Sequence, residues 1–233
     1  YPPGAVSVMH ARNVAFRDNV IKNVGGSGIQ FYEDVDDSDV EGNRIHDVSG
    51  NAIEIDVHAM KNPPPERQSE GVVIWNNEIF RAGQSYSNGG GILAHNVRGL
   101  ILEHNWIYDM PYSCVQVCDQ PGGKNKDVGC GANRIRFNRI QRCVLLHDDG
   151  GGIYTLGGVQ RGTVIANNYI SDVKAGRWAG SYPVDHIYLD NFTTGILVYG
   201  NVVVNGRAAE RNGSHDNFVV GNRQVDRTVD EQS

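Results

Sequence analysis

Two stretches of the 233-residue chain concentrate side chains that could do chemistry. The first is His147-Asp148-Asp149-Gly150-Gly151-Gly152-Ile153-Tyr154-Thr155-Leu156-Gly157, where paired aspartates precede three glycines. Such a glycine run lets the backbone turn sharply or approach a ligand closely; the plainer alternative is a flexible acidic turn. The second stretch runs from Trp178 to Asp190 and holds Asp185, His186, Tyr188 and Asp190. Carboxyl groups whose surroundings push their protonation states apart are the machinery of general acid and base work. Such pairs need elements that bring distant acids together.

Those elements are visible as a repeat. A segment of the form apolar-x-x-Asn-x-Ile/Val recurs at Asn19, Asn43, Asn77, Asn105, Asn138, Asn168 and Asn201. A last copy at Asn222 carries Gln224 where the apolar residue should be. The steps between these asparagines run from 21 to 34 residues, a period that points to a solenoid. A second marker follows: Ile29–Tyr32, Ile53–Asp56, Ile92–His95, Val115–Cys118, Ile153–Leu156 and Ile187–Asp190. Residues 1 and 3 of each run are mostly apolar, and 2 and 4 mostly polar or aromatic, which is the pattern of a strand with one face inward. The gap from asparagine to strand is 10 residues three times and otherwise 15, 15 and 19, so insertions fall at one point of the repeat.

This pattern predicts an all-β chain: a right-handed parallel β-helix of about seven coils over residues 1–225, then a polar tail, 226–233. Asparagine suits the recurring turn because it tolerates left-handed backbone angles and its amide can bond to the next coil, as an interior ladder. Side chains of equal phase then line up along one flank. The fourth strand position gives Tyr32, Asp56, His95, Cys118, Leu156 and Asp190; the second gives Gln30, Glu54, Leu93, Gln116, Tyr154 and Tyr188. Acids, a histidine and aromatic rings along one groove suit a carbohydrate chain. Rings stack on apolar sugar faces, while carboxylates grip hydroxyls or act at the glycosidic oxygen.

Composition narrows the alternatives. An apolar fraction of 39% and a charged fraction of 21% describe a soluble globular protein. The 29 glycines and 22 asparagines call for many turns. A net charge of −6 disfavours nucleic acid as a partner, and no apolar run reaches the ~18 residues of a membrane span. The chain opens at Tyr1-Pro2-Pro3 without an initiator Met, as a processed segment would, and is expected to be secreted or periplasmic. No capping helix precedes the first coil, which should therefore stack on earlier coils of a longer chain or on another copy. Cys114, Cys118, Cys130 and Cys143 match no zinc spacing, so no metal is expected from them. They are read as buried thiols or as a Cys118–Cys130 bridge across a Gly-rich loop. The cluster Glu33, Asp34, Asp36, Asp37 and Asp39 is either a calcium site or a solvated acidic turn, and no other cofactor is expected. Asn191-Phe192-Thr193 and Asn212-Gly213-Ser214 have the form of glycosylation sequons.

His147–Gly157, followed by Gly162–Ile170 and Ile187–Asp190, resembles the β-helix glycoside hydrolases that include α-L-fucosidase and xylanase activities. Gly4–Val8 through Gly25–Ile29 is similar to the middle of such chains. The resemblance covers most of the sequence and implies the catalytic-side portion of a longer enzyme. It implies Asp149 and Asp190 as the catalytic pair, one protonating the leaving oxygen and the other activating water or attacking the anomeric carbon. Around them, Asp148, Tyr154, Tyr188, His95, Asp185 and Trp178 are candidates for substrate contact. One conflict stands out. Asp149 lies four residues before Ile153 and Asp190 three after Ile187, an offset worth about 23 Å if both stretches are extended. Either the glycine run folds Asp149 back over the strand, or Asp185, nearer in phase, takes the partner's place.

Two rivals accompany the hydrolase reading. A polysaccharide lyase on the same fold needs a basic residue to abstract a proton and a cation to neutralise a uronate, and the chain has only five lysines. A non-catalytic β-helical module would recognise glycan without cleaving it.

Overall fold

The computed structural model describes residues 2–56, 64–118, 124, 126–127 and 129–226. The chain is all-β apart from one 3-10 turn, Pro65–Arg67. Its strands form three parallel sheets of eight strands each and a two-stranded pair, Ser69–Glu70 with Val97–Arg98; the strands of the three large sheets pass from the first to the second to the third before returning to the first. The first sheet stacks Gly4–Arg12, Ser27–Asp36, Ile53–Ile55, Ile92–Ala94, Val115–Val117, Gly150–Leu156, Val184–Asp190 and Ala208–Glu210. The second runs from Ala15–Arg17 to Phe218–Val220, and the third from Val20–Val24 to Arg223–Val225. Among the described residues no helix is long and apolar enough to cross a membrane.

The strand register follows the sequence pattern. Ile29, Ile53, Ile92, Val115, Ile153 and Ile187 are direct neighbours along the first sheet, and all are fully buried. Ile45, Ile79, Ile107, Ile140, Ile170 and Val203 do the same along the third. Each such side chain contributes roughly 1.5–3 kcal/mol through burial. The last copy of the repeat still forms a strand, since Gln224 pairs with Val203 in the place of the missing apolar residue.

The asparagines form the expected ladder at the corner between the second and third sheets. Asn77 donates its backbone N–H (3.0 Å) and its Nδ2–H (2.9 Å) to Asn105 Oδ1, and the motif repeats from Asn19 to Asn222. Nδ2 also donates to main-chain carbonyls, as Asn138 does to Leu102 and Arg136. Only a carboxamide both accepts and donates in this way, which is why the residue type recurs. The left-handed angle falls one residue earlier than expected. At each ladder asparagine it belongs to the residue just before: Asp18, Gly42, Asn76, His104, Phe137, Asn167, Gly200 and Gly221.

The cysteines are corrected as well. Cys118 bonds Cys130, and Cys114 bonds Cys143, so neither free thiols nor a single bridge describes them. The second pair was illegible because residues 29 apart become neighbours only once the coil register is known. The acids of the cluster are each engaged by a basic side chain: Glu33 by Arg67, Asp34 by His10, Asp36 and Asp37 by Arg12, and Asp39 by Arg17. Most of the polar tail, 227–233, lies outside the described residues.

Candidate active site

The second-position column points away from the core of the first sheet, yet it is buried. Gln30, Glu54, Leu93, Gln116, Tyr154 and Tyr188 are all at most 5% exposed. Insertions fold over this face: Gly90 N–H donates to Asn51 Oδ1 (2.7 Å), and Gly90 sits against Gln116. At one end the column closes on itself, because Glu54 accepts from Ser27, Gln30 and Asn51 and shows no surface. At the other end Tyr154 and Tyr188 meet edge to face, with centroids 5.2 Å apart. Their hydroxyls reach the two acids that the resemblance implied.

Asp190 lies beside Leu156 in the register and is 1% exposed. Its oxygens accept from Tyr154 Oη (2.7 Å), the Asn191 backbone N–H (2.8 Å), Asn191 Nδ2 (3.4 Å) and Asn212 Nδ2 (2.5 Å). Both sequon asparagines therefore serve this carboxylate. Asp149 has a left-handed φ of 51° and is only partly buried. Its Oδ1 accepts from Tyr188 Oη (3.1 Å), and its carbonyl accepts from Tyr112 Oη (2.5 Å). Burial raises the Asp149 carboxyl above its ordinary value; the Tyr188 hydrogen bond opposes the rise, and the charges of Asp190 and Asp148 add to it. The same burial and the two acids push the Tyr188 hydroxyl upward.

The expected offset between the acids is real, but its resolution differs from either expectation. Gly150, Gly151 and Gly152 do not fold back; they begin the strand Gly150–Leu156, with Gly150 opposite Val184 and Gly151 opposite Asp185. They are glycines because neighbouring coils leave no room: a Cβ on Gly152 would lie 2.7 Å from Ile170 Cγ2. The two tyrosines span the offset instead. Tyr188 comes from the Asp190 strand and reaches Asp149, while Tyr154 comes from the Asp149 strand and reaches Asp190.

Asp185, the alternative partner, is ion-paired to two arginines, whereas Asp190 is the acid whose charge reaches Asp149. Both Asp185 oxygens are held, by Arg207 Nε (2.8 Å) and Arg211 Nε (2.9 Å), and it is 2% exposed. His95 is buried rather than a surface histidine. It stands three strands from Asp190 along the first sheet, about 14 Å at the usual spacing, so it adjoins other coils. Cys118, of the same nominal row, turns into the core. Asp148 accepts from the Tyr182 backbone N–H (3.1 Å) and ties down the segment 174–183. On that segment Trp178 is 85% exposed, with Arg177 stacked on it, and Tyr182 is also exposed. His147 bonds Ser87 across to the other flanking loop. Asp149 thus lies at the start of its strand, flanked by two insertions that the adjoining His147 and Asp148 hold.

Several site residues escaped the sequence reading. Tyr112 positions the Asp149 backbone, Ser113 Oγ accepts from Gly151 N–H (3.0 Å), and Asn212 holds Asp190. Arg211 continues the Asp190 row into the last coil, where its N–H bonds the Leu189 carbonyl. The phase of the repeat could have found Arg211. Its strand, Ala208–Glu210, lacks the apolar pattern that marked the others.

No family model matches the chain, and no curated protein matches it either. Among solved structures, one described as a glycoside hydrolase superposes with a TM-score of 0.81 over 97% of this chain, at 21% identity. The chain spans 38% of the length of that structure. An alginate lyase from Paenibacillus sp. str. FPU-7 superposes more loosely, with a TM-score of 0.49 and 11% identity over 96% of this chain and 77% of its own. At such identities the first likeness establishes a shared fold, and the second is too loose to align a site.

Proposed function

We propose that the chain hydrolyses glycosidic bonds of a polysaccharide or complex glycan at the outer face of its first sheet, with Asp149 as the proton donor and Asp190 as the partner carboxylate. The inequality of the two acids carries this reading. Asp190 is closed in by four donors, whereas Asp149 is accessible, accepts one side-chain hydrogen bond and has its proton affinity raised. A carboxyl that keeps its proton beside the reacting oxygen is the acid half of a glycosidase. Asp190 acts through Tyr154, whose hydroxyl it orients, and Trp178 and Tyr182 offer rings for sugar faces beyond the acid. A right-handed winding belongs to the same proposal, since parallel crossovers strongly prefer that hand. So does an extracytoplasmic location, which two disulfides favour.

The test is a screen of aryl glycosides and plant polysaccharides, with NMR of the released anomer, on the parent chain and on Asp149→Asn. Loss of a general acid lowers kcat by about 10²–10⁴-fold. The loss should shrink on aryl glycosides with acidic leaving groups, which need no proton. Equal turnover by parent and variant on every substrate would refute the assignment.

A lyase is the second reading, favoured by Arg211, whose Nη2 is buried without a partner among the described residues. A lyase also needs a base, and Tyr188, a hydroxyl that Arg211 influences electrostatically, has its proton held more tightly than usual by burial and by the charges of Asp190 and Asp149. Ultraviolet absorbance from an unsaturated sugar product would identify that chemistry.

A further inference from the structure

The corner between the second and third sheets lies away from the first sheet and its acids, and one residue there breaks a rule. Six of the eight left-handed positions before the asparagine ladder hold Gly, Asn or Asp, which tolerate that backbone. Phe137 holds the same conformation, with φ 57°, and its ring is 44% exposed. A bulky side chain with positive φ is strained, and such strain concentrates where a ligand is gripped. Filling the core does not explain it, because Phe137 is exposed and lies outside the buried cluster.

The neighbours of Phe137 form a platform. His104, the other exception, stacks on it with centroids 5.3 Å apart and planes 9° from parallel. An open groove of about 680 Å³ runs past both rings, lined also by Arg139, Gln141, Asn167 and Tyr169. Arg139 donates from Nε to Gln141 Oε1 (2.6 Å) and lies 5.0 Å over the Trp106 ring. Among the described residues no carboxylate pairs with it, whereas nearby Arg136 and Arg142 are matched by Glu103 and Asp109. Arg136 also lies 5.7 Å from the Phe137 centroid, so the stack is partly capped. A guanidinium with open N–H groups beside such a half-exposed aromatic stack is suited to a planar carboxylate attached to a ring with an apolar face.

We infer that this corner is a second glycan-binding site, specific for a chain bearing sugar carboxylates. The sugar ring packs against the His104–Phe137 stack, the carboxylate meets Arg139, and the amide of Asn167 takes a hydroxyl. A net charge of −6 and a single unmatched arginine in the groove fit one carboxylate better than a run of phosphates. The site is independent of turnover: Asp149 stands just before an inner strand of the first sheet, and none of its partners lines this groove.

Calorimetric titration with three probes tests the inference: an oligogalacturonate, a neutral xylo-oligosaccharide and a single-stranded oligonucleotide. The oligogalacturonate should bind the parent and the Asp149→Asn variant equally, and the neutral chain at least tenfold more weakly. Phe137→Asn and Arg139→Gln should each weaken oligogalacturonate binding at least tenfold. Phe137→Asn should also leave Tm unchanged or higher, because asparagine suits the left-handed backbone. A fall in Tm with binding intact would make the ring structural and overturn the site. Equal affinity for the neutral chain, tighter binding of the oligonucleotide, or no binding at all would overturn it too. Since binding is the readout, failure here leaves the hydrolase test untouched, and the reverse also holds.

Discussion

At the corner between the second and third sheets, coil after coil presents the same asparagine, while the outer column of the first sheet runs from Gln30 and Glu54 through Leu93 and Gln116 to Tyr154 and Tyr188. The corner is uniform because its task is set by the backbone. Each turn leaves a buried N–H that the next coil must satisfy, and an unsatisfied one costs about 1–3 kcal/mol. The outer column has no such duty, since its backbone bonds are complete within the sheet and its side chains are free to differ. There, variation is the mark of chemistry.

The uniform side should be the more fragile. Asn138→Ala removes the acceptor for two donors of Asn105 and both donors to Leu102 and Arg136. We expect a loss of roughly 4–6 kcal/mol in unfolding free energy, read from denaturant melts. A loss under about 1 kcal/mol, typical of surface substitutions, would erase the contrast between the two sides.

A subtler test concerns Asp56, fully buried at the end of its first-sheet strand, where it accepts from Ser69 N–H and Oγ–H. Burial raises its carboxyl to about 7 against those hydrogen bonds. A raised carboxyl contributes stability that is complete below its ordinary value of 3.8 and is lost as pH climbs towards 7. The parent should therefore lose roughly 2–4 kcal/mol from this group between those limits. Asp56→Asn should flatten that slope in melts taken across the same pH range, and an unchanged slope would remove Asp56 from the account.

The same contrast explains what was legible in the sequence. The ladder, the register and the inward strand positions could be read because each coil repeats one solution to one problem. The left-handed residue was misplaced by one because asparagine is a good candidate for both the turn and the ladder, and only the hydrogen bonds separate them. Asp149 and Asp190 were named through a resemblance, and the tyrosines that link them came from phase. Tyr112 and Asn212 could not be found, since they lie in connections that follow no period. The ion pairs of Asp185 were not legible because its arginines, Arg207 and Arg211, flank a strand with almost no β signal.

The central claim is that Asp149 and Asp190 share one electrostatic site despite their offset along the strands. Carbon-13 NMR titration of the Asp149 carboxyl, in the parent and in Asp190→Asn, tests it most directly. The account requires a midpoint above the ordinary 3.8 in the parent, and a lower one once the neighbouring charge is gone. A midpoint at the ordinary value, or one that Asp190→Asn leaves unmoved, would contradict it.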